Sequence, residues 1–324
     1  MSLRKAVECI KKSESFLITA HTNLEGDALG AELGFLNLVK KLGKQGVVVN
    51  EDDVPYGYDF LPGKNGIKKL NRKTIGTKFD CFVVVDCSDL NRTGEVYKIN
   101  RDKPVLNIDH HISNALFADV NWVDPHASSA SEMIYRLFKK MRVALDKESA
   151  VALYTGIVAD TGYFHYSNTS SFTHKAISEL LKFNLNIPLI FKNLYENIPF
   201  QDMKLLAKIL PTIRREEKGI IAWFQIKRKM LKHGKISIDL SEHLLSFARA
   251  IKDVEVVVLF KENMGVRSEI RINLRSQGKV DVNKVAQYFG GGGHKAAAGA
   301  TVKGKIEQVR KKVLAKIKES LKNN

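Results

Sequence analysis

The sequence predicts an α/β protein of two domains: an N-terminal domain with a mainly parallel sheet flanked by helices, and a smaller C-terminal α/β domain with a mixed sheet. Three observations predict this class. The length of 324 residues suits about two average domains. Short apolar runs alternate with helical patterns in the first part of the chain, as in repeated βαβ units. Beyond Lys218 the predicted strands follow one another more closely and the positive charge rises.

The first domain is predicted from alternating helices and buried strands. Apolar residues at helical spacing predict helices, and short uninterrupted apolar runs predict strands covered on both faces. We expect strands over 16–20, 47–49, 80–86 and 104–108. We expect helices over 2–12, before the first strand, through 29–39, after the first strand, and over 129–140, 147–159 and 169–183, after the last strand. Further helices reach to about residue 213, interrupted by prolines.

The second domain is predicted from a different pattern, in which strands predominate. We expect strands over 220–224, 254–260 and 269–274, helices over 241–250 and 282–288, a glycine run over 290–293, and a basic amphipathic helix from about residue 304. Packing of the apolar stripe of that last helix on its own sheet is the expected arrangement, in preference to a membrane surface or an RNA.

The charge distribution points to a polyanionic partner. The formal net charge is +17. Residues 216–324 carry 23 Lys and Arg against 11 Asp and Glu, a net charge of +12, and residues 1–215 carry the remaining +5. An excess of this size indicates nucleic acid binding or a surface adapted for solubility, and charge alone weighs the two equally.

Cysteine usage and the N-terminal segment predict a soluble cytoplasmic protein that does not enter a membrane. Cys9, Cys81 and Cys87 show no metal-binding or disulfide spacing, so we expect reduced thiols. The N-terminal apolar run is too short for a signal peptide or a spanning helix.

Side chains that bind metals follow three of the predicted strands and one of the helices. They are His21, Glu25 and Asp27 after the first strand, Asp86 after the strand over 80–86, Asp109, His110 and His111 after the strand over 104–108, and Asp160 at the end of the helix over 147–159. Open α/β sheets bind their ligands at the carboxyl ends of the strands. Each carboxylate alone is also explained as a helix cap or a turn residue.

Convergence of these carboxylates predicts a site for two divalent cations. Two carboxylates 4 Å apart repel by about 4 kcal/mol even at an effective dielectric of about 20. Two ions offset the charge of four carboxylates, and a shared carboxylate holds them about 3.5–4 Å apart, as in two-metal phosphoryl hydrolases. Imidazole ligands favour a transition metal over Mg²⁺ and Ca²⁺, so we expect two Mn²⁺ ions, with Mg²⁺ or Co²⁺ as substitutes.

Five segments resemble the motifs of the DHH phosphoesterase family. They are His21 to Asp27, Val85 to Asp89, Asp109 to His111, Asp160 to Gly162 and Gly290 to Gly299, the last being similar to the signature of the DHH-associated C-terminal domain. Their order and spacing agree across nearly the whole chain. The two-domain size most resembles the branch that combines nano-RNase and pAp-phosphatase activity, rather than the longer RecJ-type exonucleases.

The resemblance implies a role for each residue at the strand ends. The first ion would be held by His21, Glu25 and Asp86, and the second by Asp27, Asp86, His110 and Asp160. Asp109 would orient an imidazole and His111 would face the scissile phosphate, so His111, Asp86 and Asp109 are the expected catalytic residues. The family usually has Pro-Asp where this chain has Leu24-Glu25, and we expect the first ion to sit differently or to bind more weakly.

The C-terminal domain is the expected substrate-binding domain. The expected substrate-binding residues are Arg267, Arg271, Arg275, Ser276, Gly291, Gly292, Gly293 and His294. Arg271 and Arg275 share one face of a predicted strand and can bind phosphates by charge-assisted hydrogen bonds. The glycines allow backbone N–H groups to approach an anion, although for the glycines alone a plain hinge or tight turn is the more usual explanation.

Together these features predict a Mn²⁺-dependent phosphodiesterase that hydrolyses short oligoribonucleotides to nucleoside monophosphates through a metal-activated water. Residues 1–190 would form the DHH catalytic domain, 191–215 a helical connector and 216–324 the substrate-binding domain. Expected partners are short RNA oligonucleotides or dinucleotides, with pAp as a further substrate and a homodimer left open. The alternatives are a cyclic or linear dinucleotide phosphodiesterase (c-di-AMP or pApA), a RecJ-type single-strand exonuclease, and a nucleic-acid-binding protein with a degenerate metal site.

Overall fold

The fold is described from a computed structural model that covers residues 2–231, 240–263, 266 and 268–322. The chain divides into two compact units, Met1–Asn197 and Ile198–Asn324. The boundary between these units falls within the segment 191–215 that was expected as a helical connector. The exact domain boundaries proposed from the sequence remain a prediction.

The first unit contains six helices and six strands within the described residues. The strands are β1 (Ser15–Thr19), β2 (Gln45–Asn50), β3 (Ile67–Lys69), β4 (Cys81–Val85), β5 (Val105–Asp109) and β6 (Val120–Val123), and the helices are α1 (Leu3–Lys12), α2 (Gly26–Lys41), α3 (Ala130–Met141), α4 (Lys147–Asp160), α5 (Ser171–Leu181) and α6 (Ile187–Phe191). A π-helical segment, Lys192–Glu196, follows α6.

All six strands of the first unit are parallel, in the order β3-β2-β1-β4-β5-β6. The prediction of a parallel α/β domain is confirmed. The chain leaves β1 toward β2 on one side and later returns to β4 on the other side. The carboxyl ends of β1 and β4 therefore flank the point where the strand order reverses, which is where such sheets open a crevice for ligands.

The helices cover one face of this sheet. Residues of α1 to α5 pack with strand residues such as Phe16, Ile18 and Val83 in one large buried cluster. The opposite face, which includes Leu17 and Phe82, is covered by loops and short helical turns. Burial on both faces explains why β1, β4 and β5 are apolar almost throughout.

Glycines let α2 and α4 approach each other closely. A Cβ at Gly30 would lie 2.5 Å from the carbonyl oxygen of Ala152. A Cβ at Gly156 would overlap Ser131 Oγ and lie 2.9 Å from Asp27 Oδ1. This close packing matters for the site because α2 carries Asp27 at its start and α4 carries Asp160 at its end.

The second unit also contains six strands, together with five helices, within its described residues. The strands are β7 (Arg214–Glu216), β8 (Ile221–Ile226), β9 (Val256–Glu262), β10 (Glu269–Ser276), β11 (Gly292–His294) and β12 (Ala297–Lys303), and the helices are α7 (Phe200–Ile209), α8 (Arg228–Leu231), α9 (Ser241–Arg249), α10 (Val282–Tyr288) and α11 (Ile306–Lys322).

The sheet of the second unit is mixed, as predicted, with the order β11-β12-β10-β9-β8-β7. Only the pair β8 and β9 is parallel among the strand pairs of the described residues. One face packs on α10 and α11, and the other packs on α7 and α9. The apolar stripe of α11, including Val309, Val313 and Ile317, is buried in this core, as expected from the sequence.

Two smaller expectations also have an outcome. Cys9, Cys81 and Cys87 are free thiols. Within the part of the chain that the structure describes, every helix is too short or too polar to cross a bilayer.

Candidate active site

The predicted metal-binding residues of the first unit meet at one edge of its parallel sheet. His21 and Glu25 lie in the loop between β1 and α2, Asp86 follows β4, and His110 and His111 follow β5. Two more carboxylates come from helix ends: Asp27 from the first turn of α2 and Asp160 from the last turn of α4. Parallel strands bring these side chains together because their carboxyl ends share one edge.

Asp86 lies between two imidazoles. Its Oδ2 is 3.4 Å from Nε2 of His21, and its Oδ1 is 3.5 Å from Nε2 of His110. The two oxygens of one buried carboxylate thus face two different groups of ligand atoms. This is the arrangement that a carboxylate shared by two cations requires.

The remaining carboxylates complete the two groups around Asp86. Glu25 Oε1 lies 3.7 Å from His21 Nε2, and this glutamate side chain is 62% exposed. Asp27 Oδ2 and Asp160 Oδ2 lie 3.8 and 3.7 Å from His110 Nε2. Among the groups of candidate ligands in the described residues, two therefore lie around Asp86, one with His21 and Glu25 and one with His110, Asp27 and Asp160.

Both imidazoles direct Nε2 into the site because Nδ1 is held by a backbone carbonyl. Nδ1 of His21 lies 2.8 Å from the oxygen of Thr22, and Nδ1 of His110 lies 3.3 Å from the oxygen of Ala127. A carbonyl accepts but cannot donate, so the ring proton is assigned to Nδ1 and Nε2 presents its lone pair. This orientation is typical of histidines that bind metals.

The cluster perturbs the ionisation of its own members. Burial and the charge of Asp86 raise the pKa of Asp27 to about 6. Burial raises the pKa of Asp160 well above its usual range, although His110 opposes the rise. Burial also disfavours the Asp86 carboxylate, but in the absence of a cation His110 and His21 can be protonated on Nε2 as well, and their hydrogen bonds to Asp86 then outweigh burial and hold the pKa of Asp86 well below its usual value.

The donor set fits divalent cations. Buried carboxylate oxygens and imidazole lone pairs face one another at 3.4 to 3.8 Å, close to the separation of about 3.0–3.5 Å between ligands on one ion. Acceptors packed in this way repel unless positive charge lies among them. Mixed imidazole and carboxylate ligands suit a transition metal better than Ca²⁺.

Asp109 and His111 form a second pair beside the ligand clusters. Asp109 Oδ1 accepts a hydrogen bond of 2.7 Å from Nδ1 of His111, and Asp109 is completely buried. Asn114 Nδ2 donates to Asp109 Oδ2 at 2.5 Å and to Asn107 Oδ1 at 2.8 Å. Asp109 is thus in position to orient the imidazole of His111.

Sequence reasoning missed two asparagines that hold site carboxylates. Besides Asn114, which holds Asp109, Asn168 donates from Nδ2 to Asp160 Oδ2 at 3.2 Å and to the carbonyl of Ser128 at 2.9 Å. Both lie in polar loops that follow a metal-binding motif, at three residues after His111 and eight after Asp160. Their position shortly after a motif was the sequence signal that could have identified these asparagines. Residue type alone does not separate them from ordinary turn residues.

The predicted arginines of the second unit share one face of β10. Arg271 and Arg275 alternate with the buried residues Ile270, Ile272 and Leu274 along the strand. The guanidinium of Arg275 forms an ion pair with Glu242 of α9. Arg267 lies outside the described residues.

Ser276 is separated from the two arginines of β10, and its part in substrate binding remains a prediction. It lies on the opposite face of β10 from the arginines and is buried. Its hydroxyl donates to Glu255 Oε1 at 2.8 Å. Since adjacent residues of a strand point to opposite faces, Ser276 cannot join Arg275 on the same surface.

Close packing of two strands explains the glycines near the end of the chain. Gly292 and Gly293 lie in β11, which pairs antiparallel with β12 and ends at His294. A Cβ at Gly291 would overlap the carbonyl oxygen of Gly299, and Gly293 has a φ of 147°. The tight-turn alternative therefore has a physical basis, and anion binding by these glycines and His294 remains a prediction.

Comparisons with known proteins agree with this architecture. The DHH family N-terminal domain matches residues 15–157, and the DHHA1 domain matches residues 219–323. The bifunctional oligoribonuclease and PAP phosphatase NrnA of Thermus thermophilus is 27% identical over 98% of this chain and 94% of that protein. The protein of the same name from Bacillus subtilis is 27% identical over 91% of this chain and 92% of that protein.

A solved structure resembles the chain over nearly its full length. An exopolyphosphatase-related protein from Bacteroides fragilis superimposes with a TM-score of 0.86 at 26% identity, covering 98% of this chain and 97% of that one. The similarity therefore extends over both units and is not confined to the metal-binding motifs.

Proposed function

The chain belongs to the DHH family of metal-dependent phosphoesterases, and from that premise we propose that it hydrolyses short oligoribonucleotides to nucleoside monophosphates and removes the 3′-phosphate of pAp. Relatives over nearly the whole chain that are named bifunctional oligoribonucleases and PAP phosphatases support this proposal. Mn²⁺ is the proposed metal, in two ions per site.

The observation that carries the proposal is the position of Asp86 between His21 and His110. We propose that His21, Glu25 and Asp86 hold one ion and that Asp27, Asp86, His110 and Asp160 hold the other. Bound divalent cations in such a site supply the positive charge that offsets phosphoryl oxygens and lowers the pKa of water.

The residues of the chain supply orientation and proton positions. Asp109 holds Nδ1–H of His111, so Nε2 of that ring, when it also carries a proton, can donate to a phosphoryl oxygen or to the leaving group. Asn114 fixes the other oxygen of Asp109 and limits its rotation. The carbonyls of Thr22 and Ala127 hold the protons of His21 and His110 on Nδ1, so that their Nε2 atoms would be free to bind a metal ion.

Nucleotide phosphates are the proposed ligands of the β10 face. Arg271 and Arg275 present guanidinium groups at four-residue spacing on one side of this strand. Arg275 would exchange its Glu242 partner for a substrate phosphate, an exchange of charge-assisted hydrogen bonds. A cytoplasmic location and a homodimer remain predictions of the sequence alone.

Product analysis over substrates of increasing length tests the function. Purified protein with Mn²⁺ is incubated with pApA, longer oligoadenylates, pAp, cyclic di-AMP and bis-p-nitrophenyl phosphate. We expect AMP from pApA and pAp, with rates that fall as the oligonucleotide lengthens. Faster turnover of cyclic di-AMP than of pApA would instead favour a cyclic-dinucleotide phosphodiesterase, and no turnover of any substrate would contradict the enzyme assignment.

A further inference from the structure

Arg92 lies beside the carboxylate clusters, in a turn whose backbone is tied to the site. Asp89 begins the turn by accepting a hydrogen bond of 2.8 Å from the backbone N–H of Asn91. The carbonyl of Arg92 accepts a hydrogen bond of 2.7 Å from the backbone N–H of Thr22, the residue after His21. The turn after β4 and the loop after β1 are thereby joined next to two candidate ligands.

The guanidinium of Arg92 has a hydroxyl partner but no acidic one in the described part of the chain. Its Nη1 donates to Ser88 Oγ at 3.3 Å, and the residue is exposed. No carboxylate of the described residues lies within ion-pair distance of it, whereas Arg136 pairs with Asp124 and Glu132. Most donors of this side chain therefore remain available to a ligand.

The contacts of Arg92 place it next to the site. Ser88, the hydroxyl partner of its guanidinium, is buried two residues after Asp86. The carbonyl of Arg92 is hydrogen-bonded to the loop that follows His21. Arg92 therefore contacts the segments that carry two of the candidate ligands.

A cation in this position weakens metal binding unless an anion offsets its charge. Arg92 and bound divalent ions repel each other, so the guanidinium weakens metal binding unless negative charge lies between them. A phosphate between the ions and Arg92 supplies that charge. Guanidinium groups match phosphate oxygens with two parallel N–H donors, which an ammonium group cannot do.

We propose that Arg92 is a substrate-binding residue that contacts a non-bridging oxygen of the phosphate being hydrolysed. This inference rests on the proposed phosphoesterase function and adds a contact from the first unit itself. The arginines of β10 are proposed for other phosphates of the nucleotide. Arg92 should therefore promote hydrolysis of any phosphate ester, including one with no nucleotide.

The test compares Arg92→Ala and Arg92→Lys with Arg72→Ala, which removes an exposed arginine from another turn of the same unit. We expect Arg92→Ala to lower kcat/KM by about 10- to 100-fold, and by a similar factor on pApA and on bis-p-nitrophenyl phosphate. Lysine should recover part of the loss because it keeps the charge without the fork. Arg72→Ala should match the wild type.

Two further measurements separate this role from a structural one. Thermal unfolding should be unchanged in Arg92→Ala, and Mn²⁺ titrated into the protein without substrate should bind as tightly as in the wild type, or more tightly. A loss confined to pApA, an unchanged kcat/KM, or weakened Mn²⁺ binding would each overturn the inference. A wild-type protein inactive on every phosphate ester would instead contradict the proposed function itself.

Discussion

At the scale of single residues, the backbone of Asp86 is as informative as its carboxylate. Asp86 has a φ of 51°, in the left-handed region, directly after β4. L-residues rarely adopt this conformation, and Asp and Asn tolerate it better than most others. The turn lets the two carboxylate oxygens face His21 and His110 at once. An alanine at this position would therefore combine lost charge with backbone strain.

Asp86→Asn is the sharper test of the shared ligand, because asparagine keeps the size and the left-handed backbone. We expect binding of the second equivalent of Mn²⁺ to be lost and kcat to fall by at least about 100-fold on every substrate. Calorimetric Mn²⁺ titration and turnover of bis-p-nitrophenyl phosphate measure the two effects. Near-wild-type turnover by the Asp86→Asn variant would contradict a two-metal site.

Glu32 is a buried acid that the proposed chemistry does not use. Its Oε2 accepts a hydrogen bond of 3.0 Å from Asn50 Nδ2, while Oε1 is buried without a hydrogen-bond partner. Burial raises its pKa from 4.5 to about 8. The folded protein therefore holds a proton here that the unfolded chain releases at lower pH.

This proton makes the stability depend on pH. Between about pH 4.5 and pH 8 the folded state binds more protons than the unfolded state, so the free energy of unfolding falls with rising pH, by up to about 1.4 kcal/mol per unit. Glu32→Gln mimics the protonated acid and should remove that dependence. We expect the variant to exceed the wild type in Tm at about pH 8 and to match it near about pH 4.5. Chelator-treated proteins should be compared, and equal Tm differences at both pH values would contradict the assignment.

The metal ligands could be predicted from residue type and strand order, whereas prediction of the other site residues was limited by side-chain direction. His21, Asp86 and His110 follow strands whose carboxyl ends must meet at one edge, so their convergence was predictable. The period of two separates Ser276 from Arg275 on the strand, so the sequence already indicated that these two predicted residues face opposite sides. Asn114 and Arg92 depend on loop conformations that no periodic pattern specifies.

At the scale of elements, the missed strands share a physical cause. The strands β3 and β7 have three residues each, β6 has four, and β11 and β12 are composed largely of glycine and alanine. Short or glycine-rich strands have low intrinsic strand preference and form because neighbours supply their pairing. The strands found from sequence, such as β4 and β9, are long and apolar enough to be stabilised by burial on both faces.

The contact of α2 with α4 links helix packing to the metal site. Gly156 faces Ser131 and Asp27, so any side chain there pushes against a candidate ligand. We expect Gly156→Ala to lower the free energy of unfolding by about 1–3 kcal/mol and also to weaken Mn²⁺ binding, because Asp27 is displaced. Urea unfolding and metal titration measure these two effects.

Gly66→Ala is the matched control for this substitution. A Cβ at Gly66 would meet no atom within 4 Å, and its φ is not in the positive range. We expect its stability to stay within about 0.5 kcal/mol of the wild type, with unchanged Mn²⁺ affinity. If the two variants behaved alike, close helix packing would not be what positions Asp27.

At the scale of the whole molecule, chemistry and charge are distributed between the two units. All six proposed metal ligands lie in the first unit, whereas residues 216–324 carry a net charge of +12. The sequence alone indicated this division, because the net charge of each part of the chain is a sum over its residues and does not depend on the fold. It could not indicate which cations face a ligand, since many lysines and arginines pair with acids of the same unit, as Lys318 does with Glu216.

This division predicts how salt acts on catalysis. Each phosphate contact made by a cation releases counterions, so oligonucleotide binding weakens as salt rises, with a logarithmic slope of about −0.7 per contact on a single strand. KM for an oligoadenylate should therefore increase steeply with salt, while KM for bis-p-nitrophenyl phosphate changes little.

Arg275→Ala should reduce the slope for the oligoadenylate by about one contact. Lys311→Ala removes the same charge from an exposed position of α11 and should leave that slope unchanged, because a contact, and not net charge alone, is what releases the counterion. Equal slopes in Arg275→Ala and Lys311→Ala would show that the basic unit attracts the substrate only by its overall field.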